Sequence, residues 1–456
     1  MFFADNPCLW IAFILRRRLS CYNERVMPLE EKKVLKEEPR GEGPQLKKED
    51  VELLLEAAKG GKSQDAVTKF LDAVMRFAYL QRASDVHLEP EEDKAFVRFR
   101  VDGILHDLFE LTHDLHAQVV AVLKILTLVR IDEHRAPQDG RFTFDVPGKE
   151  EVDVRVSLIP TTMGEKGVLR LLSSQSHKLS LEQLGFSEAD LARVKRAIRK
   201  PWGMILATGP TGSGKTTTIY AILEILNTRE VNISTIEDPV EYEIAGVNQS
   251  QVDQAAKLTF ANGLRSIVRQ DPDIIMVGEI RDEETAKIAV NAALTGHKLL
   301  STIHTNNAAS TIPRLIDMRV EPFLISSTLI CAIAQRLVRR VCPDCQGTKT
   351  VTETQAAELF DAPLLRALFG EEKSITVAEA KGCAACNETG YKGRLGIYEV
   401  LENSKAIQDM VVARADSDTI HAEAIKEGMT TIAEDGVRKI KEKLTTLEEL
   451  VRVMQE

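Results

Sequence analysis

Residues Gly209-Pro210-Thr211-Gly212-Ser213-Gly214-Lys215-Thr216, followed by Thr217, spell GxxxxGK[ST]. The glycines let backbone N–H groups turn inward around a chain of phosphates without Cβ clashes. Lys215 then sets a positive charge at the β- and γ-phosphates of ATP, and Thr216 offers its hydroxyl to Mg2+. Three more polar groups suit the same chemistry: Glu237-Asp238-Pro239, Gly278-Glu279 and His304 each close a short apolar run. A carboxylate placed as Glu279 is can hold Mg2+ or orient the water that attacks a γ-phosphate. Glu237 and Asp238 can equally cap a turn before Pro239. His297 and His304 can equally be polar residues at the ends of a helix or strand. Arg265 and Arg269, four apart on a helical face, either bind phosphate or pair with acids.

The cysteines carry a second chemistry. Cys342-Pro-Asp-Cys345 and Cys383-Ala-Ala-Cys386 are two C-x-x-C knuckles. Each holds two thiolates within reach of one tetrahedral ion, and two together complete a four-cysteine zinc site. The segment between them, 346–382, exceeds the usual ribbon spacing, but closure entropy grows only logarithmically with length. Redox dithiols or disulfides are the competing reading, and an acidic chain with a phosphate loop fits a structural metal better. Cys331 lies in an apolar run read as helical and belongs in a core. Cys8 and Cys21 fall in the N-terminal leader.

The elements that must position these groups follow from hydrophobic periodicity. Residues 204–208 (MILAT) form a short buried strand leading into the glycine loop, and 217–226 have helical character. Strand, loop and helix in that order are the context that confirms a phosphate loop. Further strands are expected at 231–236, 273–277 and 298–303, with a crossover helix over 283–294 closed by Gly296. Ligands in open α/β sheets sit outside the carboxyl ends of the strands. Parallel pairing would therefore bring all three polar ends to the γ-phosphate.

Upstream, 66–81 repeats apolar residues at helical spacing (Val67, Phe70, Leu71, Val74, Phe77), and 95–101, 141–146 and 151–157 alternate as strands. Asp102-Gly103 is a two-residue hairpin turn. This is a small α+β domain with an antiparallel sheet, one face of which carries Arg98, Arg100, Arg141 and Arg155. That face is either solvated or meets phosphate or a neighbouring subunit. At the far end, Thr446 with Glu449 forms a capping box.

With 456 residues the chain has room for about three domains. The balance of 59 Lys+Arg against 69 Asp+Glu gives a net charge of −10, which disfavours a broad basic nucleic-acid groove. Aromatics at 5% are too few for rows of base-stacking platforms. Residues 7–15 are free of charge but too short to span a bilayer, and the arginines after them are in the wrong order for a secretory signal. An interfacial anchor is the alternative to a disordered leader or a true start at Met27. Residues 30–50 are charged and carry Pro and Gly, the composition of a linker.

The stretches GPTGSGKTTT (209–218), IEDPVEY (236–242), LTFANGLRSIVRQDPDIIMVGEIRDEETAKIAVNAALTGH (258–297) and STIHTN (301–306) resemble the secretion-ATPase superfamily, in its type II secretion and type IV pilus-assembly branch. So do ASDVHLEP (83–90), VRFRVDG (97–103) and DVRVSLIPTTMGEKGVLRLL (153–172). The likeness spans roughly residues 63–456. It implies an α/β fold: a RecA-like P-loop NTPase core preceded by a small α+β, PAS-like domain, with a tetracysteine zinc module. The implied divisions are a disordered leader and linker (1–62), the arginine-bearing domain (63–175), the ATPase domain (180–340), the zinc module (341–390) and a C-terminal helical part of the ATPase domain (391–456).

The resemblance further implies a homo-oligomeric, hexameric ring on the cytoplasmic side of the inner membrane. Such a ring hydrolyses ATP with Mg2+ and works with inner-membrane platform and assembly proteins to drive pilin or pseudopilin assembly. Carried over, Lys215 and Thr216 are the Walker A pair, Glu237 and Asp238 belong to the aspartate box, Glu279 is the Walker B glutamate, and His297 and His304 match the histidine box. First-domain arginines of the family act at subunit interfaces, which favours Arg100 and Arg155 as sources of transition-state charge. The tetracysteine is shared with the assembly members of the family and generally missing from its retraction members.

Two departures stand out. The reading predicts no counterpart of the larger extra N-terminal domain by which many assembly members of the family dock onto the inner-membrane partner. Lys298 replaces an apolar residue of the histidine box and is expected to face solvent. A hexameric P-loop nucleic-acid motor is the runner-up, opposed by the charge, the scarce aromatics and the tetracysteine. A nucleotide-gated scaffold with negligible turnover is opposed by the intact Lys215 and Glu279. The choice between secretion and pilus assembly lies with partners outside this chain.

Overall fold

A computed structural model describes residues 46–60, 64–147, 151–172 and 179–455. The leader, with Cys8, Cys21 and Met27, lies outside the described residues. The chain divides into two compact units, one ending at Ser174 and the other beginning at Gln175.

The first unit opens with helix α1 (Lys48–Gly60), in the stretch read as unstructured up to residue 62. Val51, Leu55 and Ala58 recur at helical spacing and are buried in the core of this unit, which is why the segment folds despite its charged neighbours. Helix α2 (Gln64–Leu80) follows, then β1 (Ala83–Pro90), β2 (Ala95–Val101), β3 (Ile104–Leu111), helix α3 (His113–Leu126), β4 (Gln138–Asp145), β5 (Glu151–Thr161) and β6 (Gly164–Leu172). The strands form one antiparallel sheet in the order β3-β2-β1-β6-β5-β4. Asp102 (φ 49°) and Gly103 (φ 90°) make the turn between β2 and β3, matching the expected hairpin. The apolar set of each strand, including Val86, Val97, Phe99 and Val154, packs with Phe70, Val74 and Phe77 of α2 and Leu115, Val119 and Leu123 of α3. The alternate set carries most of the charged side chains, among them Arg98, Arg100, Arg155 and Arg170.

The second unit is built on a seven-stranded sheet of β7 (Gly203–Thr208), β8 (Ile233–Glu237), β9 (Asn248–Gln251), β10 (Ile274–Val277), β11 (Lys298–Ile303), β12 (Leu329–Val341) and β15 (Tyr391–Glu402), in the order β15-β12-β7-β11-β10-β8-β9. All neighbours are parallel except β12 and β15. Every residue of β7, β8, β10 and β11 is buried, as expected for a sheet covered on both faces. Helix α4 (Lys215–Leu226) follows β7, and helix α5 (Glu283–Leu294) joins β10 to β11.

Cys331, read as part of a helical run, lies in β12 and is fully buried. A short, wholly apolar run has no periodicity to separate a buried strand from a helix. Between β12 and β15 come β13 (Gln346–Thr352) and β14 (Ser374–Ala380), a two-stranded pair of their own. The tetracysteine segment has no separate core: Phe360, Leu368, Phe369 and Val377 join the main core of this unit. At Thr446 only half of the expected capping box forms. The Glu449 amide donates to the Thr446 hydroxyl (3.2 Å), while the Glu449 carboxylate turns to Arg339 and Arg452. Among the described residues no helix is long and apolar enough to cross a membrane.

Candidate active site

The phosphate loop leaves the carboxyl end of β7 at Gly209. Gly209, Gly212 and Gly214 have φ of 142°, 78° and 87°, values that L side chains rarely adopt. Gly209 is constrained twice, since a Cβ there would lie 2.4 Å from the Gln335 carbonyl oxygen of β12. Lys215 opens α4 and is buried, with Nζ donating to the Gly209 and Pro210 carbonyls at 2.9 Å each. Burial lowers its pKa, and nearby Glu279 partly opposes that shift. The hydroxyl of Ser213 is buried without a hydrogen-bond partner. Such an orphan group beside a helix N-terminus suits a chain of phosphates.

The neighbouring parallel strands deliver their polar ends to the same edge. Glu279 follows β10. One of its oxygens meets Arg281 at 2.5 Å, and the other lies 3.4 Å from His304 Nε2 at the end of β11. That second oxygen is buried and makes no hydrogen bond. Burial and the charge of Lys215 lower the pKa of His304, so the ring is neutral at pH 7. Hard oxygen donors, the Thr216 hydroxyl and the Glu279 carboxylate, are the set that Mg2+ takes.

Glu237, at the end of β8, is fully engaged. It accepts from the Tyr220 hydroxyl, from Thr235 at 2.5 Å and from Gln249 at 3.2 Å. Burial, reinforced by the Glu237 charge, pushes the Tyr220 phenol well above its ordinary pKa. Asp238 is exposed. Tyr220, Gln249 and Arg281 were not singled out from the sequence; Tyr220 and Gln249 meet Glu237 only when separate elements pack together, whereas Arg281 stands two residues from its partner Glu279.

His297 is not brought to this site. It precedes the first residue of β11, and its Nδ1 meets the Ala292 carbonyl at 2.9 Å, where it finishes the end of α5. The length of β11, about 20 Å at roughly 3.3 Å per residue, separates it from His304. Lys298 does not face solvent. It is 5% exposed, and its ammonium bonds the Ile198 carbonyl. Its long stem fills the place an apolar residue would take. Arg265 pairs with Glu284 and donates to Asn262 at 3.1 Å, which settles it on the acid-pairing side. Arg269 sits exposed in the short turn Val268–Gln270.

In the first unit the expected arginine face is a single ladder row. Arg100 pairs in register with Asp85, Asp85 with Arg170, Arg170 with Arg155, and Arg155 with Arg141. Directly opposed residues share a face, so four arginines and one carboxylate form a single row. Asp85 takes Arg170 at 2.9 Å and Arg100 at 3.8 Å. Arg98 is diverted to Glu89 and Asp107, each at 2.7 Å. Asp85 and Arg170 escaped the sequence reading.

The four knuckle cysteines converge, with all four sulfurs within 4.8 Å of one another. The Cys342–Cys383, Cys345–Cys386 and Cys383–Cys386 sulfurs are 4.0, 3.8 and 3.7 Å apart. Four thiolates about 2.3 Å from a tetrahedral zinc lie about 3.8 Å from each other, so the residues fit that ion. Burial would raise the Cys386 thiol, but amide N–H groups of Cys383 and Gly390 bonded to its sulfur bring it down to about 7.

A family model described as Type II/IV secretion system protein matches residues 61–452. Type II secretion system protein E of Pseudomonas aeruginosa is 45% identical over 390 residues, covering 86% of this chain and 76% of that protein. Type IV pilus assembly ATPase PilB of Myxococcus xanthus is 45% identical over 412 residues, 90% of this chain and 72% of that one. Among solved structures, the pilus retraction motor PilT with bound ADP is 26% identical with a TM-score of 0.57, over 84% of this chain and 96% of that chain. The Legionella pneumophila ATPase DotB, 20% identical with a TM-score of 0.62 over 85% of this chain and 95% of that chain, shares the fold.

Proposed function

Because the chain belongs to the type II/IV secretion system protein family, we propose that it is an ATPase whose hydrolysis of ATP powers pseudopilin assembly for type II secretion or pilin assembly for a type IV pilus. The observation that carries this reading is the meeting of Lys215, Glu279 and His304 at the carboxyl ends of β7, β10 and β11. Lys215 and the loop amides bind and orient the β- and γ-phosphates. Arg281 holds one oxygen of Glu279 in place, and the other, which faces neutral His304 at 3.4 Å, orients a water in line with the γ-phosphate. Thr216 would hold Mg2+, which neutralises charge on the phosphates. Glu237 is a positioning group that ties α4 to β8 through Tyr220, with exposed Asp238 beside it, and His297 has a structural place at the end of α5.

Arg100 and Arg155, with Arg170 in the same row, supply charge to the nucleotide of this or a neighbouring subunit in a hexameric ring. The ring works at the cytoplasmic face of the inner membrane against a platform protein. A structural zinc occupies the cysteine cluster. Metal analysis should find one zinc per chain and none in Cys383→Ser; a zinc-free wild type would remove that assignment.

The central test is phosphate release. Lys215→Ala and Glu279→Gln should each lower turnover by a factor on the order of 100 or more. Turnover left intact in both would end this reading.

A further inference from the structure

A second carboxylate reaches this site indirectly. Glu399 lies in β15, the antiparallel edge strand, and is 2% exposed. One of its oxygens accepts the Ala308 amide at 2.8 Å, and the other meets His421 Nε2 at 3.2 Å. His421 belongs to helix α6 (Ser417–Lys426), in the C-terminal helical layer. Ala308 lies four residues after His304 in the short connection from β11 to the helix that starts at Thr311, and both Ala308 and Ala309 are fully buried.

The other end of that connection is also tied. The Thr305 amide donates to the Thr208 hydroxyl at 2.8 Å, and the two threonine hydroxyls lie 2.7 Å apart. Thr208 immediately precedes Gly209 of the phosphate loop. The turn that carries His304 is therefore clamped once by the strand leading into the phosphate loop and once by a buried carboxylate from the edge strand of the same sheet.

We propose that Glu399, itself held by His421, is a positioning residue for ATP hydrolysis: it fixes the Ala308 amide and thereby sets His304 against Glu279. A neutral acceptor would satisfy one amide. A buried carboxylate is costly unless paired, and the pairing with His421 adds a tie to the helical layer that a purely local turn does not require. The inference rests on the ATPase reading of the site. Displacing His304 by about 1 Å is enough to misplace Glu279 and slow the chemistry with little change in phosphate binding.

Charge adds a pH dependence. His421 is faced by Glu399, Asp418 and Glu434. The bond to Glu399 raises its pKa above the ordinary 6.5, against the effect of burial. The charged clamp is thus complete at lower pH and loses its cation as pH rises through the raised value.

The test uses the full chain and measures kcat for ATP, the Kd of a fluorescent ATP analogue, and melting temperature. Glu399→Ala should lower kcat about tenfold while Kd moves less than about twofold. Glu399→Gln, which keeps an oxygen for the Ala308 amide, should recover much of that loss. Wild-type kcat should fall on the alkaline side of the raised His421 value, and His421→Gln should cost about threefold and remove that fall.

Wild-type kcat in Glu399→Ala and His421→Gln, or equal losses of kcat, affinity and melting temperature in both, would overturn the inference. If Glu399→Ala does not fold, Glu399→Gln and the pH profile of His421→Gln decide the matter alone. A wild-type chain with no turnover would instead count against the ATPase reading.

Discussion

The two sheets place their chemistry in opposite ways. In the parallel sheet both faces are covered, so β7, β10 and β11 present polar groups only at their ends, and Lys215, Glu279 and His304 gather at one edge. In the antiparallel sheet one face is packed, and the other spreads charge across five strands in the row from Arg100 to Arg141. An edge site is compact and can be complete within one protomer. A face displays many weaker groups and suits contact with a surface brought to it.

That contrast can be broken most directly at Arg155. If the row supplies transition-state charge, Arg155→Ala should lower kcat about 100-fold with ATP-analogue affinity nearly unchanged. Mixing it with inactive Lys215→Ala subunits should restore part of the activity if the arginine acts across a subunit boundary. Unchanged turnover would return the face to a solvated surface.

A smaller effect concerns what holds the face together. Burial alone would raise the Glu89 carboxyl, but bonds to Lys166 and Arg98 bring it down from 4.5 to about 2. A carboxyl with a depressed folded value adds stability that is present above its unfolded value and is lost as pH falls through about 2. Glu89→Gln should therefore destabilise the protein by on the order of 1 kcal/mol at pH 7, with the difference from wild type shrinking between about pH 4.5 and 2 in denaturant titrations. A constant difference across that range would mean that the charge contributes nothing.

What was legible in the sequence divides along the same line. Phosphate-loop residues must be adjacent to work, so 209–216 could be read directly, and the strand ends at Glu279 and His304 followed from apolar runs beside them. The arginine row could not be read whole, because Asp85 and Arg170 are 85 residues apart and meet only when β1 pairs with β6. Helix α1 was hidden by the charged composition around it, although its apolar spacing was present. Lys298 and His297 were misplaced for one reason: the histidine stretch was read as a single unit, whereas the beginning and end of β11 lie at opposite ends of the sheet. Glu399 gave no local signal, since its partners come from β11's turn and a later helix.

The pairing of β12 with β15 has a mechanical side. The two strands stay in register from Cys331 opposite Glu402 to Arg339 opposite Arg394, the register shifts by one residue before Val341 meets Tyr391, and the cysteine knuckles stand just beyond that last pair. With a metal between the knuckles, a pull on the segment from 346 to 382 meets the clamped end first. The strands then cannot peel apart one hydrogen bond at a time, and the load is shared along their whole length as shear.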